Sequence, residues 1–218
     1  MNRIAKPVRN LILDVDGTLW NTTDVVADAW SQAVAADGRS HVPVTAERLQ
    51  GLFGKPMNVI GELLFTDVEQ DVREKLLEDC CQAEQAALKH TDRNLLYPGV
   101  ADTMRQLTEN QNCSLYIVSN CQSGYIELFL KKNHMERYVA DLECYGNTGR
   151  GKAENIVLLM ERNGIRQSDT VYVGDTAGDQ EAAGEAGIPF IFAAYGFGSA
   201  VDPDEKIENF KDLLEILS

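Results

Sequence analysis

Two aspartates one residue apart, Asp14 and Asp16, close an apolar run in Leu11-Ile12-Leu13-Asp14-Val15-Asp16-Gly17-Thr18-Leu19. On an extended chain such a pair points to opposite sides. A bend at the end of the run brings both to one reaction centre with different tasks. A carboxylate at Asp14 can attack phosphorus and split one hard displacement into two easier ones. Asp16 can then protonate the leaving oxygen and later deprotonate the attacking water. A metal-binding or turn-forming pair is the plainer alternative. A second acidic pair lies in Gly174-Asp175-Thr176-Ala177-Gly178-Asp179. Together with Asp14 it offers hard oxygen donors suited to Mg2+, in a cluster whose mutual repulsion calls for a cation. Asp179 can also simply cap the helix that follows.

Ser119 and Asn120 supply a hydroxyl and backbone amides ahead of a helix starting near Ser123, an arrangement that can hold an anion; in a purely structural role they cap that helix. Lys152 opens a helix after Gly146-Asn147-Thr148-Gly149-Arg150-Gly151. A lysine there opposes the helix dipole, so an anionic neighbour is expected. Arg150 is read as a solvated loop side chain and Cys121 as a packed thiol.

Each of these residues follows an element that must position it. Residues 11–13, 114–118, 142–145, 170–173 and 190–194 read as strands. Helical spacing separates them at Val100, Met104 and Leu107; at Ile126, Phe129 and Leu130; over 153–163; at Ala182, Ala183 and Ala186; and over 210–217. Alternating strands and helices imply parallel pairing, with ligands bound outside the carboxyl ends of the strands. Residues 21–92 show helices alone. The first starts at Thr23 or Asp24 with Val26, Trp30, Ala33 and Val34 on one face. The second runs from Thr45 through Leu49, Leu52 and Phe53 to Gly54. A third follows Lys55-Pro56, and a fourth spans 68–89 with Val72, Leu76, Cys80, Ala83 and Ala87 as its stripe. The predicted fold is α/β: a Rossmann-like parallel-sheet core, residues 1–20 and 93–218, with a helical domain, 21–92, inserted after the first strand.

The chain of 218 residues has 34 acidic and 20 basic side chains and a net charge of -14. Such a surface repels nucleic acid and anionic lipid, both of which need a basic face. An anionic ligand would then need local positive charge from a lysine or a metal. Five cysteines without metal-site spacing read as reduced thiols of a cytoplasmic protein. Residues 1–10 lack the apolar segment of a secretory signal, and no apolar run is long enough to span a bilayer.

Taken together, these stretches resemble the haloacid dehalogenase-like hydrolase superfamily. Asp14-Val15-Asp16-Gly17-Thr18-Leu19 looks like its first motif, Ser119 in Val-Ser-Asn its second, Lys152 its third, and Gly174-Asp175-Thr176-x-x-Asp179 its fourth. The order matches over nearly the whole chain. The helical insertion sits where the family carries a cap, and Tyr97-Pro98-Gly99 adds likeness to the phosphoglycolate phosphatase and β-phosphoglucomutase branch. The resemblance implies that Asp14 is nucleophile and Mg2+ ligand, and that Asp16 is general acid/base with its backbone carbonyl on the metal. It further implies that Asp175 ligates Mg2+ with Asp179 close by, directly or through water. Ser119 and the Asn120 backbone would hold the phosphoryl oxygens, and Lys152 would neutralise Asp14 and the phosphate. Thr18 is grouped with the substrate contacts, though it can equally contact Asp16 or only tie the loop.

The reaction so implied is Mg2+-dependent hydrolysis of a small phosphorylated metabolite through an aspartyl-phosphate, in the manner of a phosphoglycolate phosphatase. The cap loop Gly51-Leu52-Phe53-Gly54-Lys55 would read the leaving group, with Lys55 placed for a second substrate anion; in the plainer alternative Phe53 is cap core and Lys55 is solvated. A dehalogenase does not need the acid at Asp16, and a phosphonatase would need Lys55 as a Schiff base. A phosphomutase of the β-phosphoglucomutase type and a non-catalytic phospho-ligand-binding protein are the alternatives. Monomer and homodimer both fit the sequence.

Overall fold

The computed structural model describes residue 4 and residues 7–217. Part of the N-terminal stretch weighed against a secretory signal, residues 1–3, 5 and 6, lies outside the described residues. The core is a parallel sheet of six strands among the described residues: β1 (Asn10–Leu13), β2 (Ser114–Ser119), β3 (Val139–Cys144), β4 (Thr170–Gly174), β5 (Phe190–Ala193) and β6 (Glu205–Ile207). Their order is β3-β2-β1-β4-β5-β6. β1 lies between β2 and β4, Leu13 pairing with Ile117 on one side and Val173 on the other. The chain winds one way from β1 through β2 to β3 and the other way from β4 to β6. The order therefore reverses between β1 and β4, where open α/β sheets leave a crevice at the carboxyl ends of the strands.

Strands covered on both faces must be apolar throughout, and Leu11, Ile12, Leu13, Ile117, Val173 and Ile191 are fully buried. Leu11 and Leu13 join the larger apolar cluster, which continues into the helical insertion and under α5 (Val100–Glu109) and α6 (Tyr125–Lys132). Ile12 faces the opposite layer, formed by α8 (Lys152–Asn163) and α9 (Ala177–Ala186).

Between β1 and α5 come α1 (Thr23–Asp37), α2 (Ala46–Gln50), α3 (Met57–Leu64) and α4 (Gln70–His90). α1 packs along α4, and Trp30 of α1 stacks on Phe65 with ring centres 6.4 Å apart. Burial of such an aromatic contributes about 2 to 3 kcal/mol. The N-cap of α1 is Thr22, not Thr23 or Asp24, and it makes no side-chain capping bond; Asn21 Oδ1 accepts from the Thr23 amide and hydroxyl at the helix start. Thr45 caps α2 as the sequence suggests. Leu52 and Phe53, expected to extend that helix, instead form a turn that ends at Gly54 with φ +87°. The buried stripe of α4 is Leu76, Cys80, Glu84 and Leu88, so the small residues expected at 83 and 87 give way to an i, i+4 row containing a carboxylate.

Two departures concern the sheet edges. β3 begins at Val139, ahead of the expected Leu142; its Asp141 and Glu143 pair with Arg162 of α8 at 2.6 and 2.5 Å. β6, Glu205-Lys206-Ile207, was not anticipated at all. Three residues with two charges carry no strand periodicity, yet short charged strands are what blunts an exposed edge. The C-terminal 210–217 segment splits into a 3-10 turn, Phe210–Asp212, and α10 (Leu213–Ile216). The 146–151 segment read as a loop begins inside a short helical turn, α7 (Tyr145–Thr148). No helix among the described residues is long and apolar enough to cross a membrane.

Candidate active site

Asp14 leaves the end of β1 with its amide donating to the Val173 carbonyl at 2.9 Å, so the switch-point strands set its position directly. The chain then turns at Gly17, φ +84°, where a Cβ would fall 2.1 Å from the Asp175 carboxylate. Only glycine fits both the backbone and the space. Gly196 does the same from the loop after β5, where an added Cβ would meet the Asp175 Cβ at 2.2 Å. Asp175 is thus packed against backbone from two sides.

Asp14, Asp175 and Asp179 are all buried, and one oxygen from each lies within 4.8 Å of the others. Lys152, at the first position of α8, donates to Asp14 Oδ1 at 2.9 Å and to Asp179 Oδ1. These are the anionic neighbours its helix-terminal place calls for. Burial raises the Asp14 carboxyl to about 6 despite the Lys152 charge beside it. Burial, then the Asp179 and Asp14 charges, push Asp175 well above the usual carboxylate range. Burial alone would lower the Lys152 ammonium, but Asp14 and Asp179 outweigh it and hold the proton on.

Asp16 is held apart from this cluster. Its Oδ1 accepts from the Tyr125 hydroxyl at 2.7 Å and from Thr22 Oγ1 at 2.9 Å. Burial raises its carboxyl to about 7, opposed by the Tyr125 hydrogen bond. The bend after β1 therefore gives two nearby carboxylates different surroundings.

Asp179 is fully engaged. Oδ2 accepts from the Thr176 amide and hydroxyl and from the Asp175 amide, while Oδ1 takes Lys152 and the Tyr172 hydroxyl. With Thr176 it forms the capping box of α9. It therefore does the capping work weighed for it and anchors Lys152 as well. Asp175 accepts from the Phe197 amide at 2.7 Å and from Thr18 Oγ1 at 3.3 Å. Thr18 is a correction: it is fully buried behind Asp175, its carbonyl accepts from the Tyr195 hydroxyl, and it does not line the cleft. Its hydroxyl serves the acid, not a substrate.

A cavity lies over these groups. Asp14, Asp16, Ser119 and Asn120 line it from the core, and Phe53 and Lys55 from the α2–α3 turn. The turn touches the core at three points. Asn120 Nδ2 donates to the Gly54 carbonyl at 2.8 Å, Phe53 packs edge-on against Phe197 at 6.2 Å, and Gly54 lies close against Thr176. Lys55 is exposed at the mouth. Cys121 is buried against Cys144 and Ser119, and burial pushes its thiol well up, which leaves it a packed thiol.

Sequence reasoning missed Tyr125 and Thr22, the partners of Asp16, and also Glu84 and Gln122, which line the same cavity. Glu84 had one legible signal, since it continues the Leu76 and Cys80 row at the same spacing. Tyr125 and Gln122 had none, because only the folded chain brings them to Asp16 and α4.

Comparison with known proteins agrees with this geometry. The sequence profile of the family described as haloacid dehalogenase-like hydrolase matches residues 11–193. A phosphoglycolate phosphatase of Vibrio parahaemolyticus is 28% identical, covering 97% of this chain and 96% of its own. That of Escherichia coli is 27% identical, covering 100% and 95%. Among solved structures, one described as a predicted phosphoglycolate phosphatase from Haemophilus somnus superposes with a TM-score of 0.85 at 19% identity, covering 98% of this chain and 99% of its own. A haloacid dehalogenase-like family hydrolase from Streptococcus pneumoniae gives 0.83 at 18% identity, covering 97% and 99%.

Proposed function

This chain belongs to the haloacid dehalogenase-like hydrolase family, and on that premise we propose that it is a Mg2+-dependent phosphatase. It hydrolyses a small phosphomonoester through an aspartyl-phosphate on Asp14, with machinery of the phosphoglycolate phosphatase type. The observation that carries this reading is the division of labour at the end of β1. Asp14 sits beside the Lys152 ammonium, while Asp16, two residues on, is turned to the Tyr125 and Thr22 hydroxyls. Two carboxyls in contrasting environments are what nucleophilic attack and proton transfer require of one site.

In the first half-reaction the Asp14 carboxylate attacks phosphorus and Asp16 donates its proton to the departing oxygen. A carboxyl raised to about 7 carries that proton in about half of the molecules at neutral pH and can both give and take it there. In the second, Asp16 takes a proton from the water that cleaves the acyl phosphate, returning both residues to their starting states. Ser119 and the Asn120 amide bind the phosphoryl oxygens, and Lys152 offsets charge on Asp14 and the phosphate. The buried acids fit a divalent cation: they are hard oxygen donors, close together and mutually repulsive. Asp14, Asp175 and the Asp16 carbonyl would hold it, with Asp179 behind them because both its oxygens are engaged. Mg2+ supplies charge neutralisation to the phosphoryl group when bound.

Residues 21–92 act as a cap over the core formed by 1–20 and 93–218, excluding water from the aspartyl-phosphate and contacting the leaving group. Lys55 at the mouth attracts the anionic substrate. The free cysteines and the absence of a spanning helix among the described residues accord with a cytoplasmic enzyme. Phosphate release from p-nitrophenyl phosphate, dependent on Mg2+ and stopped by chelation, tests the proposal. No release from that ester or from a broad panel of phosphate esters would overturn it.

A further inference from the structure

The cavity carries hydrogen-bonding groups, from α4 and from the loop after β2, for which phosphoryl transfer has no use. Glu84, only 3% exposed, lines the cavity from α4. Its Oε2 accepts from Trp30 Nε1 at 2.8 Å, and its Oε1 accepts from Gln122 Nε2 at 2.9 Å. That second bond commits the Gln122 amide nitrogen to Glu84 and leaves Gln122 Oε1 buried without a partner. Asn120 repeats the arrangement. Its Nδ2 donates to the Gly54 carbonyl, which can only accept, so the amide orientation is fixed and Oδ1 is left buried and unpaired. Both amides line the same cavity.

A buried acceptor without a partner is destabilising, because its lost hydration is not replaced. A ligand that donates a hydrogen bond there relieves this cost, while a ligand bringing another acceptor does not. A carboxylate on the leaving group would bring only acceptors. A hydroxyl supplies the donor each amide lacks.

We propose that the substrate is the phosphate ester of a neutral, polyhydroxylated leaving group, whose hydroxyls donate to Asn120 Oδ1 and Gln122 Oε1. Glu84 is the positioning residue that fixes which face of the Gln122 amide is left open. This rests on the phosphatase reading and narrows its substrate class away from carboxylated esters.

Three small esters of similar size separate the possibilities: glycerol 3-phosphate, ethyl phosphate and phosphoglycolate, assayed with Mg2+ beside p-nitrophenyl phosphate. The expected kcat/KM for glycerol 3-phosphate exceeds that for each of the other two by about tenfold or more. Gln122→Met removes the acceptor and should bring the glycerol-to-ethyl ratio towards one. Glu84→Gln should lower the same ratio, because an amide at 84 can accept from Trp30 and donate to Gln122 Oε1, filling the vacancy from within. A purely structural role for either residue would lower all rates together and leave the ratio standing. The inference is overturned if phosphoglycolate equals or surpasses glycerol 3-phosphate, or if both folded variants keep the parental ratio. Turnover of p-nitrophenyl phosphate with that reversed order rejects this inference alone, whereas no turnover of any ester rejects the phosphatase reading and this inference with it.

Discussion

Asp14 and Asp16 have the same side chain, so what distinguishes them comes entirely from their neighbours, Lys152 for one and the Tyr125 and Thr22 hydroxyls for the other. Asn at position 14 keeps the shape and its bond to Lys152 but cannot attack phosphorus. Asp14→Asn should therefore lower kcat by about a thousandfold or more with circular dichroism unchanged; substantial residual turnover would remove Asp14 from the nucleophile's place. Glu84 makes a different prediction. Burial lifts its carboxyl from the ordinary 4.5 to about 8 in the folded chain. The native state keeps the proton where the unfolded chain has lost it. The contribution of Glu84 to stability is thus full below 4.5 and is lost as pH rises towards 8. Glu84→Gln should flatten this fall, so that its Tm relative to the parent rises between about pH 5 and pH 8. Parallel melting curves for the two proteins across that range would contradict it.

At the scale of elements, the carboxyl ends of β1, β2 and β4 bring the acids and Ser119 together, and the helix starts at α8 and α9 add Lys152 and Asp179. Much of this could be read in advance, because apolar runs ending in polar residues mark strand termini whatever the tertiary context. What lines the strand ends from outside could not. Gly146 of α7 shows why: a Cβ there would fall 2.1 Å from the Ser123 amide nitrogen, so the loop after β2 is seated on a glycine more than 20 residues away in sequence. Gly146→Ala should displace Asn120 to Ser123, destabilise the fold by about 1 to 3 kcal/mol and reduce turnover. Unchanged Tm and kcat would show that the loop accommodates the methyl. The α2–α3 turn belongs to this scale too. Lys55→Ala should raise KM about threefold to tenfold for anionic phosphate esters with a smaller effect on kcat; an unaltered KM would leave Lys55 merely solvated.

For the whole molecule, a protein of net charge -14 gathers three buried carboxylates at its centre against a single lysine. A bound cation would relieve much of that repulsion, so Mg2+ should stabilise the folded chain independently of any substrate. At a hundredfold excess over its Kd the stabilisation is about 2.7 kcal/mol, or a rise in Tm of roughly 5 to 10 °C for a chain of this size. A Tm indifferent to Mg2+ and to chelator would argue against the metal site. The α2–α3 turn meets the core through neutral contacts, amide to carbonyl at Asn120 and ring to ring at Phe53.

The sequence by itself determined the carboxyl ends of β1, β2 and β4 to within a residue, the presence of the inserted helices and the order of the chemical groups, because these follow from local periodicity and from residue types at short spacing. Tertiary structure alone decided that Thr18 supports Asp175 and that Tyr125 and Thr22 hold Asp16. It also placed Glu84 and Gln122 on the wall of the cavity. Those relations join residues up to 157 positions apart. They depend on which side chains the folded layers bury against one another, and no spacing along the chain encodes that.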